Sequence, residues 1–207
     1  MVFSSTTRGQ HFNQEIWSQG YKETSYWLEG LSPLREAIET PPRNVDVAIV
    51  GSGYTGLNAA LQTSRGGRST VVLEAGDPGF GCSTKNGGQV STSIKPSLEK
   101  LSAKFGQEKG LAIRKEGENA LDWIEEFVSS EKIDCSFARS GRYHAAHTPK
   151  HYEMITRDAE RLSRSEGVEA YAVPSSEQLK ELGSQIYHGG VVFPRHASLD
   201  PGKYHRG

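Results

Sequence analysis

The sequence is poor in cysteine, with two residues, Cys82 and Cys135, among 207. Two cysteines cannot form a disulfide framework or a four-cysteine zinc site, and such scarcity is typical of a reducing compartment. No apolar run reaches the roughly 18 residues that a membrane-spanning helix needs, and the first ten residues lack the apolar core of a secretory signal. We therefore expect a soluble, cytoplasmic protein that has no membrane partner.

Charge of one sign is also lacking, because 24 Lys and Arg side chains nearly balance 25 Asp and Glu side chains. This balance provides no basic surface for the nucleic-acid backbone, so we expect no nucleic-acid partner. The length is sufficient to bury a sizeable core. Glycine, in contrast, is abundant, with 23 residues, many of them in two clusters.

The first glycine cluster follows an apolar segment. Residues 45–50 are mostly β-branched or small, which predicts a strand covered on both faces. Gly51, Gly53 and Gly56 then form the pattern G-x-G-x-x-G. The first glycine permits a tight turn, the second permits close approach of a pyrophosphate, and the third permits close packing of the next helix.

A helix over residues 54–64 and a strand over residues 69–73 complete the predicted βαβ unit. The free N–H groups at the start of that helix attract phosphate. Glu74 ends the second strand at about the 20-residue spacing where dinucleotide-binding proteins place an acid that accepts from ribose hydroxyls. The pattern thus predicts a ligand with an unphosphorylated adenosine ribose, such as FAD or NAD.

The second cluster lies in residues 75–90, which have neither a helical nor a strand-like period. A loop of this length in a compact domain is usually functional, and we interpret it as a second cofactor-binding loop. An NAD-dependent dehydrogenase would be expected to continue into its next strand and helix at this point. The loop therefore favours FAD over NAD.

The segments DVAIVGSGYTGLNAAL and VVLEAGDPGFGCSTKNGGQV, with Tyr26-Trp27-Leu28 upstream, resemble the D-amino-acid-oxidase-like family of FAD-dependent amine oxidoreductases, and within it the gamma-glutamylputrescine oxidoreductase type. The resemblance implies an α/β fold, with a Rossmann-like FAD/NAD(P)-binding domain and the start of a mixed-sheet substrate domain. Together with the glycine pattern, it implies that the following residues bind FAD: Gly51, Ser52, Gly53, Tyr54, Thr55, Gly56, Glu74, Ala75, Cys82, Ser83, Thr84, Asn86, Gly87, Gly88 and Gln89.

The remaining sequence alternates between helical and strand-like patterns. An apolar stripe predicts a long helix that ends near Lys132; its members are Leu111, Ala120, Leu121, Ile124, Phe127 and Val128. Strand-like segments cover residues 133–148 and 186–194, and a helix is predicted over residues 149–164. Ser175 and Gln178 form a capping box before a short helix, and Asp200 and Pro201 begin the last helix.

We divide the chain into an N-terminal arm (residues 1–44), an FAD-binding βαβ unit with its flavin loop (45–96), and a helical insert that leads into the substrate domain (97–207). Two neighbouring strands are too few for a doubly wound sheet, and the last helix begins just before residue 207. We therefore expect the chain to be the N-terminal part of a longer flavoprotein. Exposed apolar surface would then lead to self-association or to contact with the missing C-terminal part.

Two other groups of residues could carry chemistry. His144, His147 and His151 have a spacing that suggests a metal site, but Pro149 interrupts it and no acidic or cysteine ligand accompanies it, so we expect no metal. Cys82 lies in the flavin loop and could attach the flavin covalently. We favour a small residue packed near the cofactor, because no neighbouring cation marks a reactive thiol.

The expected function is FAD-dependent oxidation of a C–N bond in a small amine or amino acid, with a gamma-glutamylputrescine-like substrate as one possibility. Hydride transfer to the flavin needs little acid or base from the protein, so the sequence assigns no catalytic residue. We expect the isolated chain to be inactive. The alternatives are an NAD-dependent dehydrogenase and a nucleotide-binding chain without turnover.

Overall fold

The computed structural model describes residues 18–22, 24–32 and 40–207. Much of the predicted N-terminal arm, including Trp17, lies outside these residues. The described chain contains both strands and helices, including a βαβ unit, which confirms the α/β class. Their order is β1 (Val47–Val50), α1 (Tyr54–Arg65), β2 (Thr70–Leu73), β3 (Gln89–Val90), α2 (Leu98–Phe105), α3 (Gln107–Ser130), β4 (Arg142–Ala145), α4 (Pro149–Glu166), β5 (Tyr171–Val173), β6 (Gly190–Phe193), β7 (Ala197–Ser198) and α5 (Pro201–Arg206).

The chain forms two compact units. The first contains the described residues up to Gly87 together with Ile133–Cys135 and Asp200–Gly207. The second contains Gly88–Lys132 and Ser136–Leu199. The boundaries proposed at residues 44 and 96 stay a prediction. None of the helices in the described part of the chain combines the length and apolarity that a membrane crossing requires.

The first unit contains the βαβ arrangement that the glycine pattern predicts. Strands β1 and β2 pair in parallel, with Val47 opposite Thr70 and Val50 opposite Leu73. Helix α1 connects them and ends at Gly66, whose N–H donates to the Gln62 carbonyl at 3.0 Å. The predicted Rossmann-like unit is therefore confirmed.

The expectation that β1 is covered on both faces is wrong for the described residues. Burial alternates along the strand, so that Val47 and Ile49 are partly buried whereas Ala48 and Val50 are exposed. Val50 keeps 87% of its surface exposed. Within the described chain, the sheet that contains β1 has only the two strands β1 and β2. A strand with a single neighbour and one shielded face leaves every second side chain open to solvent.

The second unit is built on an antiparallel sheet with the strand order β4-β6-β5. Helix α4 packs on it, and their apolar side chains form a core that contains Ala146, Ile155, Ala159, Val191 and Phe193. Thr148 caps α4 by accepting from the His151 N–H at 3.1 Å, and Pro149 is the first helical residue. Strands β3 and β7 form a separate antiparallel pair.

The predicted long helix is confirmed in α3, which follows the shorter α2. Gly106 separates the two helices with a φ of +86°, a conformation that favours glycine. Leu121 is 1% exposed and Val128 is also buried. Leu111 and Ala120, which the apolar stripe included, are exposed. The predicted apolar stripe therefore included residues that are not buried, because α3 buries only one side of the helix.

The predicted capping box of Ser175 and Gln178 does not form. The short helical segment Gln178–Lys180 is a 3-10 turn preceded by Glu177, which makes no side-chain capping bond. Gln178 is buried instead, and its Oε1 accepts from the Gly189 N–H at 3.2 Å. The buried N–H of Gly189 needs an acceptor. Because the Gln178 side chain supplies it, that side chain is not available for the capping box.

Candidate dinucleotide-binding site

The glycine turn joins β1 to α1 and presents backbone N–H groups. Gly51 makes the turn with a φ of +96°, and Gly53 is the N-cap of α1. The first helical hydrogen bond runs from the Leu57 N–H to the Gly53 carbonyl at 3.0 Å. The N–H groups of Thr55 and Gly56 consequently have no intrahelical acceptor, which is the arrangement that binds phosphate at a helix start.

Gly56 has no room for a side chain, and Gly53 has little. A Cβ atom on Gly56 would lie 2.1 Å from the Gly51 carbonyl oxygen, so that α1 could not keep its position against the turn. A Cβ atom on Gly53 would lie 3.1 Å from Ser83 Oγ, a tight contact that would require the serine side chain to shift. These distances agree with the roles that the sequence pattern predicts for the third and second glycines.

A cleft of about 440 Å³ lies beside this turn, within the size range of ligand sites in proteins. The glycine turn forms one wall and the second glycine cluster forms the other. The lining residues are Val50, Gly51, Gly53, Tyr54, Thr55, Gly56, Cys82, Ser83 and Asn86. All of them except Val50 belong to the predicted set. The structure therefore brings the two predicted loops together around one cavity.

Glu74 ties the glycine turn to the end of β2. Its Oε2 accepts from the Ser52 N–H at 2.8 Å and from Ser52 Oγ at 2.6 Å, and its Oε1 accepts from the Ala75 N–H at 2.8 Å. These hydrogen bonds, those from Ser52 first, hold the pKa of the Glu74 carboxyl below its usual value. A charged carboxylate at this place suits a ribose hydroxyl, and that contact stays a prediction.

The second loop is shaped by hydrogen bonds from its own side chains. Asn86 donates from Nδ2 to the carbonyls of Cys82 (3.1 Å) and Ser83 (2.9 Å). Buried Thr84 donates from Oγ1 to the Gly79 carbonyl. Ser83 Oγ accepts from the N–H of Tyr54, the first residue of α1, at 3.0 Å. The loop is thus fixed to the start of the helix.

Ser25 and Trp27, from an upstream segment, also hold this loop. Ser25, which is buried, donates from Oγ to the Thr84 carbonyl. Trp27 donates from Nε1 to the Asn86 carbonyl at 2.7 Å. The sequence pointed only weakly to this segment, since Tyr26-Trp27-Leu28 was noted only as part of the family resemblance. Its contribution to the site could not be assigned from local pattern.

Helix α5 supports the turn through contacts that the sequence did not predict. Tyr54 donates from its hydroxyl to the Pro201 carbonyl at 3.1 Å, and its ring meets that of Tyr204 edge-on. Burial raises the pKa of Tyr54 to about 12, which keeps the phenol neutral. His205 places its Nε2 2.7 Å from the Ser52 carbonyl oxygen. Asp200 caps α5, as predicted, by accepting from the Lys203 N–H at 3.0 Å.

The other predicted residues lie outside the cleft lining. Ser52 and Thr84 are buried, and Ala75 and Gly87 are exposed within the first unit. Gly88 and Gln89 belong to the second unit, where the Gly88 carbonyl accepts from the Leu199 N–H at 2.9 Å.

The histidine group has a structural explanation. The rings of His147 and His151 stack at 5.8 Å, and His151 Nδ1 accepts from the His147 N–H at 3.2 Å at the start of α4. A nitrogen occupied in this way is not available to a metal. Among the residues that the structure describes, no cluster of His, Cys, Asp or Glu could hold a metal ion.

Comparison with known families decides which dinucleotide the fold serves. The family model described as FAD dependent oxidoreductase, the DAO family, matches residues 46–207. The chain belongs to this family. FAD is therefore the cofactor, and the NAD alternative is set aside. The glycine turn fits this cofactor, since its free N–H groups and missing side chains leave space for a pyrophosphate.

Two proteins are similar to this DAO-family chain in sequence. A probable oxidoreductase OrdL of Haemophilus influenzae is 27% identical over 80% of this chain and 38% of its own length. Gamma-glutamylputrescine oxidoreductase of Escherichia coli is 29% identical over 71% of this chain and 34% of its own length. The chain thus spans less than half of the length of these relatives.

A solved structure shows the same fold. Glycine oxidase from Geobacillus kaustophilus superimposes with a TM-score of 0.62 at 20% sequence identity. The superposition covers 78% of this chain and 42% of the glycine oxidase chain. This likeness confirms the FAD-binding oxidoreductase fold that the sequence predicts.

Proposed function

We propose that this chain provides the FAD-binding part of an oxidoreductase that oxidises a C–N bond of a small amine or amino acid. The observation that carries the proposal is the cleft between the glycine turn and the second loop, in a chain of the FAD-dependent family. The substrate class is supported by the names of two similar proteins, which act on gamma-glutamylputrescine and on glycine.

Different residues of the chain would bind different parts of FAD. The N–H groups of Gly53, Thr55 and Gly56 would donate to the pyrophosphate, and Glu74 would accept from the ribose. When bound, FAD supplies the acceptor for the electrons of the C–N bond. Cys82 and Asn86 line the opposite wall of the cleft.

Flavin retention and amine-dependent reduction test this proposal separately. The 207-residue protein is purified, mixed with FAD, and freed of unbound flavin; we expect a yellow protein. Gamma-glutamylputrescine and glycine are then added without oxygen, and the flavin absorbance is followed. Gly53→Val serves as the control that lacks the site, and circular dichroism shows whether it is folded.

The outcomes distinguish the parts of the proposal. A folded wild-type protein that retains no FAD would contradict the assignment of the cleft. Retention of FAD without bleaching by either compound would support the FAD-binding part of the proposal and would agree with the expectation that this chain alone is inactive. Bleaching by one compound would identify the substrate class.

A further inference from the structure

His205 is a buried polar side chain that the binding of FAD, as proposed above, does not use directly. It lies in α5 and keeps 7% of its surface exposed. Its Nε2 is 2.7 Å from the Ser52 carbonyl oxygen. A carbonyl oxygen only accepts, so Nε2 carries the proton and donates. Nδ1 is buried without a hydrogen-bond partner. An apolar side chain would avoid that desolvation cost, which points to a use for the Nε2 bond.

The carbonyl that His205 holds belongs to the peptide between Ser52 and Gly53. In a trans peptide the C=O and N–H groups point in opposite directions. Anchoring the Ser52 carbonyl on His205 therefore turns the Gly53 N–H away from the imidazole. Gly53 lines the cleft, at the place where the glycine turn approaches a pyrophosphate.

The imidazole also contacts the second loop. A Cβ atom on Gly79 would lie 2.7 Å from His205 Cε1, so the ring fills the space beside this glycine. The Gly79 carbonyl in turn accepts from Thr84 Oγ1. His205 thus contacts both loops that contribute residues to the cleft, the glycine turn through a hydrogen bond and the second loop through close packing.

We infer that His205 is a positioning residue for the FAD pyrophosphate, which acts by fixing the orientation of the Ser52–Gly53 peptide. This inference rests on the proposed FAD site. His205 does not touch the cofactor in this account. Its Nε2–H holds the Ser52 carbonyl, and the Gly53 N–H makes the contact with phosphate.

Two substitutions separate the hydrogen bond from the packing. His205→Leu keeps much of the volume and removes the donor, whereas His205→Gln places an amide N–H where Nε2 lies. Loss of the donor leaves a buried carbonyl unpaired, so we expect His205→Leu to raise the Kd for FAD about tenfold. His205→Gln should stay within about threefold of wild type, since its neutral hydrogen bond is of similar strength.

The measurements are flavin fluorescence titration for the Kd and thermal unfolding of the protein without FAD. Val191→Ala is the matched control, because Val191 is fully buried in the second unit and its truncation should lower the unfolding midpoint without changing the Kd. ADP, which carries the pyrophosphate but no flavin, should show the same order of affinities as FAD.

Equal affinities of His205→Leu and His205→Gln would overturn the inference, and so would an unchanged Kd in folded His205→Leu. Should His205→Leu not fold, His205→Asn replaces it, because its shorter amide does not reach the Ser52 carbonyl; equal affinities of the Asn and Gln variants would likewise overturn the inference. Failure of the wild-type protein to bind FAD would contradict the proposed function itself.

Discussion

Ser52 occupies a variable position of the glycine pattern, yet it is the residue most tightly held in the turn. Its N–H and Oγ donate to Glu74, and its carbonyl accepts from His205. Only 4% of its surface is exposed. All three polar groups of Ser52 are thus engaged inside the protein, so we predict that its neighbours in the turn make the polar contacts with the ligand.

Replacement of Glu74 tests the ribose contact. Glu74→Gln keeps the shape and removes the charge, so the hydroxyls of the ribose would lose a charge-assisted acceptor. Such bonds contribute about 1.5–3 kcal/mol, and we expect an affinity for FAD at least about tenfold lower by titration calorimetry. Glu126→Gln, at an exposed position of α3, is the control. Equal affinity of folded Glu74→Gln and wild type would remove Glu74 from the site.

The same carboxyl gives a pH dependence of stability. Its pKa is depressed in the folded protein by the hydrogen bonds from Ser52, so its stabilising contribution is present above the unfolded value of 4.5. The contribution is lost as the pH falls through the lower folded-state pKa. Titration of the Glu74 carboxyl by NMR should therefore show a midpoint below 4.5.

His196, in the second unit, should make the protein less stable in mild acid. Burial first, and Arg142 second, lower its pKa from 6.5 to about 4. The unfolded chain then binds more protons than the folded one, so stability falls as the pH drops below 6.5. Between pH 7 and pH 5 the loss should be about 2 kcal/mol. Urea unfolding of wild type and of His196→Asn checks this; equal losses in the two proteins would contradict it.

The residues found from sequence are those whose role is local. Gly51, Gly53 and Gly56 follow a strand directly, so their pattern alone indicates the turn. His205 and Trp27 reach the site across 153 and 59 positions of the chain. No local period carries such information, because a contact of this kind depends on how distant elements pack.

At the scale of elements, the position of α1 depends on the close contact between Gly56 and the backbone of the glycine turn. Gly56→Ala would put a Cβ atom 2.1 Å from a backbone oxygen, so turn and helix must move apart. We expect a loss of about 2 kcal/mol or more in unfolding free energy, and a weaker affinity for FAD. Gly66→Ala, at the other end of α1, is the control, since its φ of −75° and its contacts of 3.4 Å accept a methyl group.

The two outcomes should differ clearly in denaturant titrations. Gly66→Ala should leave stability unchanged within about 0.5 kcal/mol, as is usual for surface substitutions. Similar unfolding midpoints for the two alanine variants would show that the turn accommodates a methyl group on Gly56 without loss of stability. That result would contradict the packing role given to Gly56.

The sequence predicted helices and strands correctly where a periodic pattern extended over many residues or where a strong capping residue was present. Helix α3 has 24 residues and α4 has 18, and helices of this length contain enough turns for the helical period to be recognised in the sequence. Strand β5 has three residues and was not predicted. Gln178 was assigned to a cap, but its side chain serves a distant loop N–H, and a short-range motif carries no information about such competition.

For the whole molecule, the binding of FAD should appear as added stability. A ligand at about 100 times its Kd contributes about 2.7 kcal/mol when it binds only the folded protein. We therefore expect FAD to raise the unfolding midpoint of the wild-type chain. Gly53→Val, folded by circular dichroism, should show no rise. A rise of equal size in both proteins would place the flavin elsewhere.

Exposed apolar side chains support the prediction of self-association, which is still to be tested. Val50 on β1 and Ile186 in the second unit are exposed to 87% and 76%. Sedimentation velocity over a range of protein concentrations measures this directly.

The hydrogen bond between Ser52 and His205 also has a consequence for synthesis on the ribosome. The two residues are 153 positions apart. At about 5–20 residues per second, the glycine turn leaves the ribosome roughly 8–30 s before the imidazole that anchors it. During that interval the nascent chain holds the nucleotide-binding pattern without its support. If His205 positions the turn as inferred above, we expect full affinity for flavin only after residue 205 has left the ribosome.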